Sequence, residues 1–223
     1  MAIKLVGTSH IAKKSVAEVR KVITQLEPDI VGVELDINRF HSLMGTKERK
    51  INFKDIVKFG GFGFVFAMVG QWIQKKLGDR VGVVPGADMK AAILTARNVK
   101  AQIWLVDQPI NITLYKLSKE VSIWEKLRLV LYLIFSPLDK TNRQMMKKIN
   151  LDDVPPDNLI DKLISELKDK FPNIYRVLVD DRNKYIANAV NKIQKKYPEK
   201  DIVVVVGAGH LKGIKKLISK NIF

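Results

Sequence analysis

Two of the three histidines in this 223-residue chain stand in matching surroundings at opposite ends of it. Leu5-Val6-Gly7-Thr8-Ser9-His10 and Val205-Val206-Gly207-Ala208-Gly209-His210 each read as an apolar strand, then Gly-x-x-His, then a basic helix start. A glycine after a strand permits a tight turn that a Cβ would hinder, which places each histidine at the C-terminal mouth of its strand. Glu34 and Asp36 end another apolar run, and Asp107 ends a further one. If those strands are parallel, all these groups emerge at one sheet edge, where open α/β sheets bind their ligands. His10, Glu34, Asp36, Asp107 and His210 therefore form the converging set. Two imidazoles with one or two carboxylates suit a divalent Mn, Co, Fe or Zn ion. A carboxylate beside such an ion can act as general base in hydrolysis.

Plainer readings stand beside each of these. A strand-end histidine next to glycine can sit near a helix N-cap with no ligand, and Asp36 can equally cap the turn or the next helix. Glu34 is the stronger acidic candidate, because a glutamate in a buried strand is rarer than a strand-end aspartate. Arg182 either faces solvent or reaches the site, where it would steady an oxyanion or hold a carboxylate. His41 has no such context and reads as a helix-surface or packing residue. Gly-Ala-Gly-His before a helix could hold a phosphate, but the wider dinucleotide pattern is absent, as are a Gly-x-Ser-x-Gly elbow and a His-Glu-x-x-His helix.

The elements that would position these groups follow from periodicity. Ile3–Val6 is a short strand stopped by Gly7. Ser15-Val16-Ala17-Glu18 has the form of a capping box, with a helix to about Leu26 that sets Val16, Val19, Val22, Ile23 and Leu26 on one face. Ile30–Leu35 is a strand covered on both faces, and strand, helix and strand so close together make a parallel βαβ unit. Helices are expected over 38–44 and within 53–77, a third strand at Val81–Val84, a helix over Asp88–Asn98 and a fourth strand at Ala101–Val106. Further helices are expected over 111–120, 122–135, 158–170 and 173–196, with a linker at 139–157. A strong strand at Ile202–Val206 and a last helix ending near Lys220 complete the pattern. The fold class is α/β, a mixed and largely parallel sheet flanked by helices, in one domain over 1–223. A helical insertion is expected around 38–78 and a second helical region around 111–196.

Composition narrows the classes. Hydrophobic residues make up 47%, enough for a real core and too many for global disorder. There is no cysteine, which excludes disulfide scaffolds, thiolate metal sites and cysteine nucleophiles. The formal charge of +16 invites an anionic partner. The lysine pairs (Lys13-Lys14, Lys75-Lys76, Lys147-Lys148, Lys195-Lys196, Lys215-Lys216) are spread along the chain, however, so a nucleic-acid partner is not expected. The N-terminus is too short and strand-like for a signal peptide. The apolar runs Phe59–Gln74 and Leu129–Leu138 fall short of the roughly 20 residues of a spanning helix. Either core packing or a homodimer interface covers them, or a membrane does, since Lys75, Lys76, Lys126 and Arg128 border them.

Taken together, the residues resemble the TraB domain, a group that includes bacterial pheromone-shutdown proteins, the Tiki proteases and many archaeal proteins. Gly7-Thr8-Ser9-His10, Val33-Glu34-Leu35-Asp36 with Arg39, Pro85-Gly86-Ala87-Asp88-Met89, Asp107 with Thr113, Asp181-Arg182 with Tyr185, and Val206-Gly207-Ala208-Gly209-His210 with Gly213-Ile214 occur in family order. The resemblance implies a fold related to erythromycin-esterase-like and haem-binding ChaN-like proteins. It implies metal-dependent hydrolysis of a peptide or protein substrate at His10, Glu34, Arg182 and His210. Metal ligation would fall to His10, His210 and Glu34, and catalysis to Glu34 and Arg182. Gly7, Ser9, Asp36, Arg39, Asp107, Gly207 and Gly209 would lie around them. Asp88 and Asp181 stand where glutamate is common, and Gln108 where arginine is. The alternative is a module that holds metal, haem or a signalling peptide without turnover. Archaeal members often carry apolar segments after the domain, so this chain is expected to be cytoplasmic or membrane-associated, a trimmed part of a membrane protein.

Overall fold

A computed structural model describes residues 2–8, 13–45, 60–68, 86–135 and 157–220. The segment expected as a strand at Val81–Val84, much of the 38–78 insertion, and Ser9 and His10 lie outside the described residues.

Among the described residues four strands form one sheet: β1 (Ile3–Thr8), β2 (Ile30–Val33), β3 (Gln102–Leu105) and β4 (Ile202–Gly207), in the spatial order β1-β4-β2-β3. Every pairing is parallel, with Ile3 opposite Ile202, Ile30 opposite both Ile202 and Gln102, and Val33 opposite both Val205 and Leu105. Parallel strands need crossovers, and the helices that supply them cover both faces. All six residues of β4 are buried, as its unbroken apolar run requires of a strand with neighbours on both sides.

Alternation along β4 sorts the core into two layers. Val203 and Val205 point with Val31 and Val33 toward α1 (Lys13–Leu26) and α3 (Ala87–Asn98), where Val19, Ile23, Met89 and Ile93 meet them. α2 (Ile37–Leu43) packs Phe40 and Leu43 against the same layer. Ile202, Val204 and Val206 point the other way, toward α8 (Asp181–Lys196) and α9 (Ala208–Lys220), which contribute Ile186, Val190, Ile193, Ile214 and Ile218. A third cluster lies apart from the sheet. It joins Leu114 and Leu117 of α4 (Ile110–Glu120) to Phe171, Ile174 and Val177, and it packs against Leu129 and Tyr132 of α5 (Ile123–Phe135). α6 (Asp157–Lys170) and α7 (Pro172–Tyr175) enter this region from the C-terminal half.

Three local expectations change. α1 already includes Lys13, so Ser15 lies within its first turn and is 1% exposed instead of capping it. Ser15 extends the buried i, i+4 stripe of Val19 and Ile23 back by one turn. β1 does not stop at Gly7, because Gly7 and Thr8 still pair with Val206 and Gly207. Gly7 sits within the strand and not at a turn, and a Cβ there would stand 3.0 Å from Cδ2 of Leu211 on α9, a close approach. Finally, the helix expected over 173–196 contains a π-helical turn at Arg176–Asp180 between α7 and α8.

The double-layered core makes a direct prediction. Ile23 is fully buried between α1 and the sheet. Ile23→Ala should cost about 2–5 kcal/mol, read as a lower urea midpoint with an unchanged slope.

Candidate functional site

The C-terminal ends of β2, β3 and β4 each deliver a group to a common centre. β2 ends at Val33, and the chain folds sharply there, with the Leu35 amide donating to the Val33 carbonyl at 2.7 Å. Glu34 stays tied to β4 through its own amide, which donates to the Val205 carbonyl at 3.1 Å, and it stands at the top of the sheet, where it is 3% exposed. The Gly207 amide, at the end of β4, donates to Glu34 Oε2 at 2.6 Å. Two residues beyond β3, Asp107 is 4% exposed. His210, in the first turn of α9, is 8% exposed.

The group that joins them is Arg182. Its Nη2 donates to Glu34 Oε1 and to Asp107 Oδ2, and its Nε reaches Asp107 Oδ1 at 3.2 Å. Its Nη1 lies 2.9 Å from His210 Nε2. One planar fork thus serves two carboxylates and an imidazole, a geometry suited to arginine and not to lysine. Burial alone would lower the Arg182 pKa. The charges of Glu34 and Asp107 outweigh that penalty and the pKa is raised, so this residue stays cationic at any working pH.

The π-helical turn is what aims Arg182 inward. An extra residue in one turn rotates everything after it. The buried stripe moves from Ile174 and Val177, in the third cluster, to Asn183, Ile186, Val190 and Ile193, facing the sheet. Arg182 and Asn183 then sit one turn above the layer of Ile186, level with the strand ends.

A second arginine extends the network. Arg39 donates from Nη2 to Asp107 Oδ2 at 2.6 Å and from Nε to Asp36 Oδ2 at 2.7 Å. Burial by itself would lower the Arg39 pKa as well, but Asp107 and Asp36 reverse that and raise it. Asp36 also caps α2, with its Oδ1 accepting from the amides of Asn38 at 2.8 Å and Arg39 at 3.2 Å. Asp36 thus caps α2 and pairs with Arg39 at the same time.

The orientation of His210 is fixed from both sides. Its Nδ1 lies 2.8 Å from Oδ1 of Asn183. An amide oxygen only accepts and a guanidinium only donates. His210 therefore carries its proton on Nδ1 and turns the Nε2 lone pair into the site. Asn183 itself is clamped, because a Cβ at Gly213 would come within 2.2 Å of Asn183 Nδ2. Sequence reasoning passed over Asn183. The available signal was a polar residue continuing the apolar i, i+3, i+7, i+10 stripe completed by Ile186, Val190 and Ile193. It also passed over the buried bond from Thr8 Oγ1, at the end of β1, to Asp88 Oδ2 at 2.5 Å.

The structure thus brings together Glu34, Asp36, Arg39, Asp107, Arg182, Gly207 and His210 of the expected set. Gly7 lies against Leu211 and Ala208, and Gly209 against Ile164. His41 lies apart on α2, edge-on to Phe40. Among the described residues, no group of three or more His, Asp or Glu side chains is arranged to hold a metal. Two metal donors do meet, His210 Nε2 and Glu34 Oε1, 3.7 Å apart. Nor is any helix among the described residues long and apolar enough to cross a membrane.

Comparison with known proteins agrees with the motif order. The model of the TraB/PrgY/gumN family matches residues 65–221. An uncharacterised protein of Methanocaldococcus jannaschii is 35% identical over 98% of this chain and 53% of its own length. TraB domain-containing proteins of Bos taurus and Homo sapiens are 25% and 26% identical, each over 95% of this chain and 61% of their own. The chain therefore spans between about half and three-fifths of the length of these relatives.

Two outcomes follow from this geometry. Arg182→Met leaves Glu34 and Asp107 buried without their shared cation and should cost about 3–5 kcal/mol, read by urea unfolding at neutral pH. Asn183→Leu removes the acceptor for Nδ1–H, so the nitrogen-15 shifts of the His210 ring should move from a single Nδ1–H tautomer toward a mixture.

Proposed function

The chain belongs to the TraB/PrgY/gumN family, and on that footing we propose that it is a metal-dependent hydrolase of peptides or proteins, working at the strand-end site. The observation that carries this reading is the convergence of Glu34, Asp107 and His210 on the one guanidinium of Arg182.

His210 and Glu34 are donor types that would suit a divalent ion. His210 presents Nε2 with Nδ1 tied to Asn183, the arrangement in which metal-ligating histidines are held. Glu34 Oε1 lies 3.7 Å from that nitrogen, close enough for both to reach one ion. His10 is the third expected ligand, outside the described residues. Such an ion, when bound, would polarise a substrate carbonyl and make water a better nucleophile.

The protein's own groups do the rest. Glu34, held through Oε2 by the Gly207 amide, takes up the proton released by the attacking water. Arg182 donates to the same Glu34 and His210 atoms that would hold the ion, so guanidinium and ion compete for them. Asp107 accepts from both Nε and Nη2 of Arg182 and retains it beside the centre, where it can steady a carbonyl oxygen gaining negative charge. Arg39 holds Asp107 in that role from the opposite side.

The test is cleavage of a fluorogenic peptide library by chelator-treated protein, before and after addition of Mn²⁺, Co²⁺ or Zn²⁺. Metal should restore cleavage. His10→Ala, His210→Ala and Glu34→Gln should each lower it roughly 100-fold or more. Wild-type cleavage in both histidine variants would refute the proposal. Stoichiometric uptake of metal or haem with no cleavage would favour the sequestering module instead.

A further inference from the structure

α5 is turned inside out. Its acid, Glu125, is 5% exposed and points inward, accepting from the Ile174 amide at 2.9 Å and from Asn173 Nδ2 at 2.8 Å. It thereby satisfies the start of α7, whose first amides have no helical partner. The outward positions are apolar. Ile123 is 72% exposed, Trp124 75%, Leu127 49%, and Val130 and Leu131 46% each. At 3.6 residues per turn these five fall within an arc of about 120° with no charged residue among them. Isolated exposed apolar residues are ordinary, but a contiguous stripe of this kind marks an interaction surface.

The borders of the stripe are basic. Lys126 flanks one side, where its Nζ donates to the Ser118 carbonyl at 2.6 Å and lies 5.2 Å from the Phe62 ring. Arg128 flanks the other, donating to the Lys170 carbonyl at 3.2 Å, and the Lys170 ammonium lies over Tyr132. Nearby acids are already paired, Glu120 with Arg176 and Glu166 with Lys170. The chain as a whole carries +16. An apolar stripe with a tryptophan, basic flanks and a cationic body has the charge complement of an anionic lipid surface. The 13 residues of α5 span about 20 Å, short of the roughly 30 Å of a bilayer's hydrocarbon. This helix would lie in the interface and not cross it.

We propose that α5 docks the protein on anionic phospholipid, with Ile123, Trp124, Leu127, Val130 and Leu131 entering the headgroup–acyl boundary. The helix that carries the stripe packs through Leu129 and Tyr132 on a cluster apart from the strand-end site, so the docking stands independently of the hydrolase reading.

The test uses the whole chain with vesicles of phosphatidylglycerol and phosphatidylcholine, or of phosphatidylcholine alone. Wild type should co-sediment with the mixed vesicles and less with neutral ones, and added salt should weaken it. The double variant Trp124→Glu/Leu127→Glu should lose roughly tenfold or more of its partitioning, while Leu94→Glu, on an exposed position of α3, should keep it. Because the chain has no cysteine, Leu127→Cys accepts one polarity-sensitive dye, whose emission should shift to the blue only when anionic vesicles are added. Equal binding of wild type and double variant, or none by wild type, overturns the proposal. So does a dye already in an apolar setting without vesicles. If that setting appears with protein concentration, a second copy covers the stripe. If it is present at all dilutions, the chain covers it itself.

Discussion

The guanidinium of Arg182 is the point on which the upper half of the molecule closes. Two carboxylates and an imidazole emerge from three strand ends into a region nearly sealed from solvent. Carboxylates so placed repel one another and have lost their hydration, a cost that pairing offsets only when the geometry is close to ideal. Here the fork supplies that geometry, with Nε and Nη2 on Asp107, Nη2 shared with Glu34, and Nη1 on His210. Removing the cation would leave a cluster of like charges at the end of a sheet that is otherwise aliphatic.

The same network explains why remote parts of the chain are needed together. Glu34 follows β2, Asp107 follows β3, His210 follows β4 and Arg182 comes from α8. Asp36 links the network to the start of α2, and through Oδ2 it also receives the Ile110 amide at 3.3 Å, at the start of α4. Helix caps and site residues are therefore one set of hydrogen bonds. A cluster built this way is rigid because its members are also structural, and each side chain is held by groups outside the cluster.

Much of this was legible in the sequence because parallel sheets write themselves plainly. Unbroken runs such as Ile202–Val206 occur where both faces are covered, and polar residues at the ends of such runs fall at one edge. That reasoning located Glu34, Asp107 and His210. It could not decide the direction of Arg182, which depends on a single wide helical turn that has no sharp residue signature. It misjudged Gly7, whose lack of a side chain serves the approach of Leu211 and not a change of chain direction. It gave Ser15 a capping role by local pattern, whereas the buried stripe of α1 claims that position for packing. Local motifs lose to tertiary packing wherever the two compete for one residue.

The position of β4 carries a consequence for how the chain reaches this state. β1 and β2 do not pair with each other, and each completes its ladder only on β4. The Ala2 amide meets Asp201 Oδ1 across a separation of 199 residues. Pairings of such high contact order are slow to form. On a growing chain, β1 and β2 emerge long before the strand that lies between them and keep unpaired edges in the meantime. Such edges are templates for wrong partners. β4, the last of the described strands to be made, thus closes both of these edges, and it seats His210 in the same event.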